Sequence, residues 1–295
     1  MNAVSEALSK RIAAELSEHL SRTMTPLSWT PVGGGCINES FRIGAGPDYF
    51  FVKINKAGLY PDMFETEALG LDLLREAEAL PVPGVIAYGE EAGFAFLLLE
   101  YVGSSDKPVD FWAQTGRGLA RLHQKSAAEF GLEYDNYIGS LKQHNHQEES
   151  WSAFLINQRL LVQLGMCADR GHADAGMIRM FERLFPKLED YFPPEPPALI
   201  HGDLWSGNYL CGAAGKAHLI DPAVYFGHRE MDLAMSLLFG GFGPEMYSAY
   251  HEVYPLESGW RERIDLCNLY PLLVHTNLFG GSYSAQVRTI LKRFC

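Results

Sequence analysis

The chain lacks any uninterrupted apolar run long enough to cross a bilayer, so nothing in it reads as a membrane-spanning helix. A secretory start is missing too. Glu6, Lys10, Arg11, Glu15 and Glu18 interrupt the opening stretch, and Val4, Leu8, Ile12 and Leu16 recur there at the spacing of an amphipathic surface helix. Basic charge is scarce: 24 Lys and Arg stand against 36 Asp and Glu, and a net charge of −12 is the wrong sign for a nucleic-acid face. Cysteine is sparse, with five residues at 36, 167, 211, 267 and 295 and no CxxC pair. That pattern offers no zinc site and suits a reducing cytoplasm. Internal repeats are absent, and the only biased tract is Pro193-Pro194-Glu195-Pro196-Pro197. The expectation is a cytoplasmic globular protein without nucleic-acid or membrane partners, its oligomeric state left open. At 295 residues and 47% hydrophobic content it has material for one large or two smaller domains.

What the chain does have is concentrated at Leu199-Ile200-His201-Gly202-Asp203-Leu204-Trp205-Ser206-Gly207-Asn208, followed by Leu219-Ile220-Asp221-Pro222. A short apolar strand runs into a polar loop carrying an acid, an amide and, further on, a second acid. Phosphoryl transfer needs such a set: one carboxylate to orient the attacking hydroxyl, and oxygen ligands for the Mg²⁺ that neutralises the β- and γ-phosphates. Asp203 and Asn208 have the spacing of the kinase catalytic loop from its Asp to its metal-binding Asn. Tyr209 to Cys211 and Lys216 to Ile220 read as a hairpin around Gly212-Ala213-Ala214-Gly215, which would return Asp221 beside Asn208. A buried polar turn is the plainer alternative, and the whole constellation argues against it.

Upstream, residues 29–102 read as a small β-rich unit. Gly33-Gly34-Gly35-Cys36 lies between two strand candidates, and glycines there would let backbone N–H groups approach phosphates closely. Lys53 is the one charge inside the strand Asp48 to Ile54, on the face of Tyr49 and Phe51. It is either a snorkelling edge lysine or the lysine that contacts the α/β-phosphates, which needs a helix glutamate as partner. The helix expected from Met63 to Ala79 supplies one. Glu67 shares a face with Leu71 and Leu74 and is the first choice, with Glu65 second. Leu80-Pro81-Val82-Pro83-Gly84 ends that helix. A strand pair then leads into Glu100-Tyr101-Val102-Gly103, where a two-lobed kinase would present hinge backbone to adenine.

From Val109 the pattern turns helical, with helices expected from Val109 to Ala128, Trp151 to Ala168, Met177 to Leu188 and Leu233 to Phe239. His123 reads as a packed helix residue. Tyr134 to Ser140 reads as a loop, and Leu141 to Glu149 as a polar run with solvated His144 and His146. Asp232 is expected to hydrogen-bond the catalytic-loop backbone. Gly240-Gly241-Phe242-Gly243 should break a helix, with two final helices after it and His275 in or near the second.

With these residues in place, the chain resembles the fructosamine/ketosamine kinase family, relatives of aminoglycoside and choline phosphotransferases. The resemblance covers nearly the whole chain. It rests on GGGCIN at Gly33, FVKIN around Lys53, MFETEA at Met63, YDNYIGS at Tyr134, HGDLWSGN at His201, IDPAVYFGHREMDLAM at Ile220, FGGFG at Phe239 and YSAYH at Tyr247. It implies a two-lobed α+β fold of the protein-kinase type, with a small β-rich nucleotide lobe at 1–102 and a larger helical lobe at 103–295. It implies ATP- and Mg²⁺-dependent phosphorylation of a ketosamine, free or on a glycated protein lysine, at its C3 hydroxyl, as in deglycation repair. Residue by residue, Asp203 would be the base, Asn208 and Asp221 the metal ligands, and Lys53 with Glu67 the phosphate-positioning pair. Gly33, Gly34, Gly35, Cys36, Glu100, Tyr101 and Val102 would surround the nucleotide, and Trp205 and His275 would meet the acceptor. Thr276 and Leu278 depart from the family's usual bulkier aromatic or histidine residues. The alternatives are an aminoglycoside- or choline-like phosphotransferase and, further off, a nucleotide-binding pseudokinase.

Overall fold

A computed structural model describes residues 5–33 and 37–295. Gly34, Gly35 and Cys36, expected at the phosphates, lie outside the described residues. The chain forms two compact units, one of residues 1–108 with 210–221 and one of residues 109–209 with 222–295.

The first unit opens with α1 (Glu6–His19), whose N-cap Ser5 accepts a hydrogen bond from the Leu8 N–H. Five antiparallel strands follow: β1 (Ser28–Pro31), β2 (Glu39–Ala45), β3 (Asp48–Lys56), then, after α2 (Met63–Glu76), β4 (Val85–Glu91) and β5 (Phe94–Glu100). Their spatial order is β1-β2-β3-β5-β4. Because side chains alternate along a strand, Phe50, Val52 and Ile54 of β3 point one way. They close a core with Leu8, Ile12 and Leu16 of α1 and with Ile43, Phe96 and Leu98. Lys53 points the other way, opposite Ser40 of β2 and Leu97 of β5 in register.

The second unit begins with α3 (Phe111–His123) and a short hairpin, β6 (Asn136–Ile138) and β7 (Leu141–Gln143). That hairpin replaces the expected loop, while His144 and His146 keep the solvent contact expected of them. Asn136, Gln143 and Asn145 are buried and build an interior network, while Lys142 and His146 are exposed and His144 is half-buried. The helix expected over 151–168 is observed as α4 (Trp151–Phe154), a π-helical turn (Leu155–Leu160) and α5 (Leu161–Asp169). Next come α6 (Ala175–Leu184), α7 (Leu188–Tyr191) and β8 (Ala198–Ile200). β9 (Tyr209–Cys211) and β10 (Ala217–Leu219) form the expected hairpin, and β11 (Tyr225–Gly227) pairs with β8. After α8 (Glu230–Leu238) there are three helices rather than two: α9 (Pro244–Val253), α10 (Trp260–Phe279) and α11 (Ser282–Phe294). Gly280, at φ 82°, ends α10 and makes the third possible.

Candidate active site

On the first unit, Lys53 is 5% exposed and its Nζ donates to Glu67 Oε1 at 2.6 Å and to Asp221 Oδ1 at 2.8 Å. Glu67 lies on the face of α2 that buries Leu71 and Leu74, and there it meets the lysine. Burial alone would push the Lys53 ammonium down, but Asp221 and Glu67 outweigh it and hold the group protonated well above its ordinary range. Burial pushes the Glu67 carboxyl up against the pull of Lys53, and Asp221 adds to that push. One cation thus serves two carboxylates. The excess negative charge and the oxygen donors suit a hard divalent cation. Asp221 has φ 53°, the left-handed region, at the end of the strand that β9 folds back upon. The β9–β10 turn carries it there: Gly212 N–H donates to the Lys216 carbonyl, and Leu219 N–H to the Pro81 carbonyl. At the end of β5, Glu100 is tied to Gly84 twice, Oε2 accepting from the Gly84 N–H at 3.0 Å and the Glu100 N–H donating to the Gly84 carbonyl at 2.9 Å.

On the second unit, the loop after β8 is held by buried groups. Asp232 accepts from the His201 N–H at 2.7 Å and the Gly202 N–H at 2.9 Å, and from His123 Nε2 at 3.2 Å. His123 Nδ1 in turn meets Tyr250 Oη at 2.8 Å. Burial would raise the Asp232 carboxyl, yet His123 and the backbone donors bring it below its usual value, so it stays ionised. Gly202 has φ 82°, and a Cβ there would collide with the Ala223 carbonyl, so only glycine lets the loop turn at this point. The turn presents Asp203. Asn208 Nδ2 donates to Asp203 Oδ2 at 2.8 Å and to its backbone carbonyl at 2.9 Å. With its nitrogen so committed, the amide oxygen of Asn208 is the atom suited to a cation.

Asp203 and Gly202 line a narrow recess with Tyr270, Val274, His275, Met231 and Met235. Trp205 stands at 38% exposure over Gly207, and its indole faces Phe239 edge-on at 6.5 Å. His275, on α10, places Nδ1 2.7 Å from the Pro271 carbonyl. A carbonyl only accepts, so Nδ1 carries the proton. Burial lowers the His275 pKa despite that bond, and the ring is neutral near pH 7 with Nε2 as an acceptor.

Sequence reasoning missed the scaffold behind this recess. Arg159, fully buried in the π-helical turn, lies against Tyr225 (4.0 Å), Phe154 (4.6 Å) and Tyr270 (5.3 Å). Its guanidinium donates to Asn145 Oδ1 at 2.7 Å and to the His144 carbonyl. Asn145 and Gln143 both donate to Asn136 Oδ1, Gln143 also donates to the Ala223 carbonyl, and Tyr270 Oη donates to Gln143 Oε1 at 2.7 Å. The polar density of residues 134–145 was the available signal. Glu230 is buried and held by both nitrogens of an Arg263 fork at 2.8 and 2.6 Å, so it is not available to a substrate ammonium. Its neighbour Arg229 grips Glu195 in the same way, at 2.7 and 2.6 Å.

The fructosamine kinase family model matches residues 8–295. A probable ketoamine kinase of Synechocystis is 38% identical, covering 96% of this chain and 95% of its own. The chloroplastic protein-ribulosamine 3-kinase of Arabidopsis thaliana is 37% identical, covering 88% of this chain and 80% of its own. Among solved structures, a candidate fructosamine-3-kinase from Thermobifida fusca superposes with a TM-score of 0.86 at 36% identity, covering 95% of this chain and 97% of its own. An aminoglycoside phosphotransferase solved with AMP-PNP and hygromycin B reaches 0.63 at 16% identity, over 95% and 97%, a likeness of fold alone.

Proposed function

The chain belongs to the fructosamine kinase family, and we propose that it transfers the γ-phosphoryl group of ATP to the C3 hydroxyl of ketosamines. It is an ATP-dependent phosphotransferase with an alcohol acceptor. The observation that carries the reading is the Asp203–Asn208 pair, a carboxylate fixed by an amide at 2.8 Å in a loop pinned from behind by Asp232.

Asp203 orients the acceptor hydroxyl and takes its proton as the new oxygen–phosphorus bond forms. Lys53, positioned by Glu67, holds the phosphates of the nucleotide, and Gly33 to Cys36 and Glu100 to Val102 are the backbone that would receive it. Asn208 and Asp221 are the oxygen ligands proposed for Mg²⁺, which supplies charge neutralisation at the phosphates. Trp205 and His275 face the acceptor. The nucleotide lobe ends near Val102 in this reading. The setting is the cytoplasm, which scattered unpaired thiols support; no described helix is long and apolar enough to cross a membrane.

The test is ATP consumption with fructosyl- and ribulosyl-amines, aminoglycosides and choline, followed by NMR mapping of the phosphate position. Turnover of a ketosamine with phosphate on C3 is expected. Robust turnover of kanamycin-like compounds with none on any ketosamine would overturn the assignment.

A further inference from the structure

The recess at Asp203 encloses about 20 Å³, room for one small group and not for a sugar ring with its substituent. Whatever the acceptor carries beyond the reacting end must therefore lie at the rim. The rim is aromatic. The His275 ring lies 4.8 Å from Phe239, 5.5 Å from Phe279 and 5.1 Å from Tyr283, and Phe239 continues to Trp205. Phe279 is 59% exposed and Phe239 38%. Single exposed aromatics are ordinary, but a contiguous run beginning at a reacting carboxylate marks a binding surface.

We propose that Phe239, Phe279 and Tyr283, grouped around His275, form a shelf that binds the amine substituent of the ketosamine and selects apolar or aromatic substituents over anionic ones. The inference rests on the ketosamine reading above and adds the class of amine. In such a substrate the amine hangs on C1, two carbon–carbon bonds from the carbon bearing the reacting hydroxyl, so its substituent leaves the recess on the His275 side. The protonated secondary amine is served by ring faces, which attract cations without a carboxylate. The shelf contains no acidic side chain, and the two carboxylates of the adjoining helix are engaged elsewhere, Glu230 by Arg263 and Asp232 by the catalytic-loop backbone and His123. A negative charge is not served. A carboxylate laid on these rings would shed water without gaining a partner, since the negative ring faces repel an anion.

The experiment compares kcat and KM for fructosyl-benzylamine, fructosyl-methylamine and fructosyl-glycine. The wild type should favour the benzyl compound over the glycine compound by about tenfold or more in kcat/KM, with the difference in KM. In Phe279→Ser with Tyr283→Ser, kcat/KM for the benzyl compound should fall to that for the methyl compound; each single substitution should give part of the loss, so the result does not hang on the double variant folding. Equal kcat/KM for the three substrates in the wild type would overturn the proposal, as would a preference that survives both substitutions. So would a dimer in sedimentation that Phe279→Ser dissociates, since a second copy of the chain would then own the shelf. Absence of turnover on every ketosamine would instead remove the functional reading itself.

Discussion

Lys53 and Asp221, 168 residues apart in sequence, meet at 2.8 Å, while Glu67 holds the other side of the same ammonium at 2.6 Å. A lysine buried alone would lose its proton. Here two carboxylates keep it charged, as the proposed phosphate contact requires.

Glu67→Gln keeps the shape of the pair and removes its charge. A hydrogen bond between charged groups contributes about 1.5–3 kcal/mol more than none, so turnover should fall roughly ten- to a hundredfold through poorer use of ATP. Steady-state kinetics with ATP varied check this. An unchanged KM for ATP together with an unchanged kcat would remove Glu67 from the machinery.

Asp203→Asn should abolish most turnover while ATP binding persists, because the proposed roles put Asp203 at the acceptor and Lys53 at the nucleotide. A general base contributes about 10²–10⁴-fold. The loss is read in kcat, and nucleotide affinity by calorimetry. Wild-type kcat in this variant would contradict the role.

Trp205→Ala should raise the KM for a ketosamine more than it weakens ATP. The indole is 38% exposed beside the Asp203 loop and offers a flat apolar wall with an N–H donor. Matched titrations of both substrates decide it, and an effect confined to ATP would be the contrary result.

Arg159→Met leaves the His144 carbonyl and Asn145 Oδ1 without their guanidinium partner inside the protein. A buried acceptor stripped of a charged donor costs about 1–3 kcal/mol. A lowered urea midpoint is expected, together with a reduced kcat, since Tyr270 and the Ala223 carbonyl share the network. Wild-type stability would show that the network repairs itself.

Stability should also fall in acid because of His228. Burial, only partly offset by Glu195, lowers its pKa to about 4 from the ordinary 6.5. The unfolded chain therefore binds a proton between pH 6.5 and 4 that the folded chain refuses. Stability is fully present above pH 6.5 and drains as pH falls toward 4, by about 3 kcal/mol. Urea unfolding at pH 7 and 4.5 should show a smaller loss for His228→Phe than for the wild type. Parallel losses would rule His228 out as the source.

The sequence by itself determined the family and the local elements that hold the proposed site residues. Glycines, prolines and the alternation around Lys53 mark strands and turns whose forces act over a few residues. The spacing of Asp203 and Asn208 lies within one loop, and the 209–220 hairpin returns on itself. The four- and seven-residue offsets from Glu67 to Leu71 and Leu74 on α2 were enough to put Glu67 on the buried face. The tertiary structure alone decided what depends on distant partners. Residues 134–149 read as a loop and a polar run because the buried side chains among them satisfy one another only after Arg159 and Tyr270 arrive from elsewhere in the chain. Glu230 is neutralised only because Arg263, 33 residues on, closes on it. The aromatic shelf exists because α8, α10 and α11 bring Phe239, His275 and Tyr283 to one rim, a juxtaposition no local periodicity encodes. Segment 210–221 belongs to the first unit, since packing and not chain order settles where a hairpin is buried.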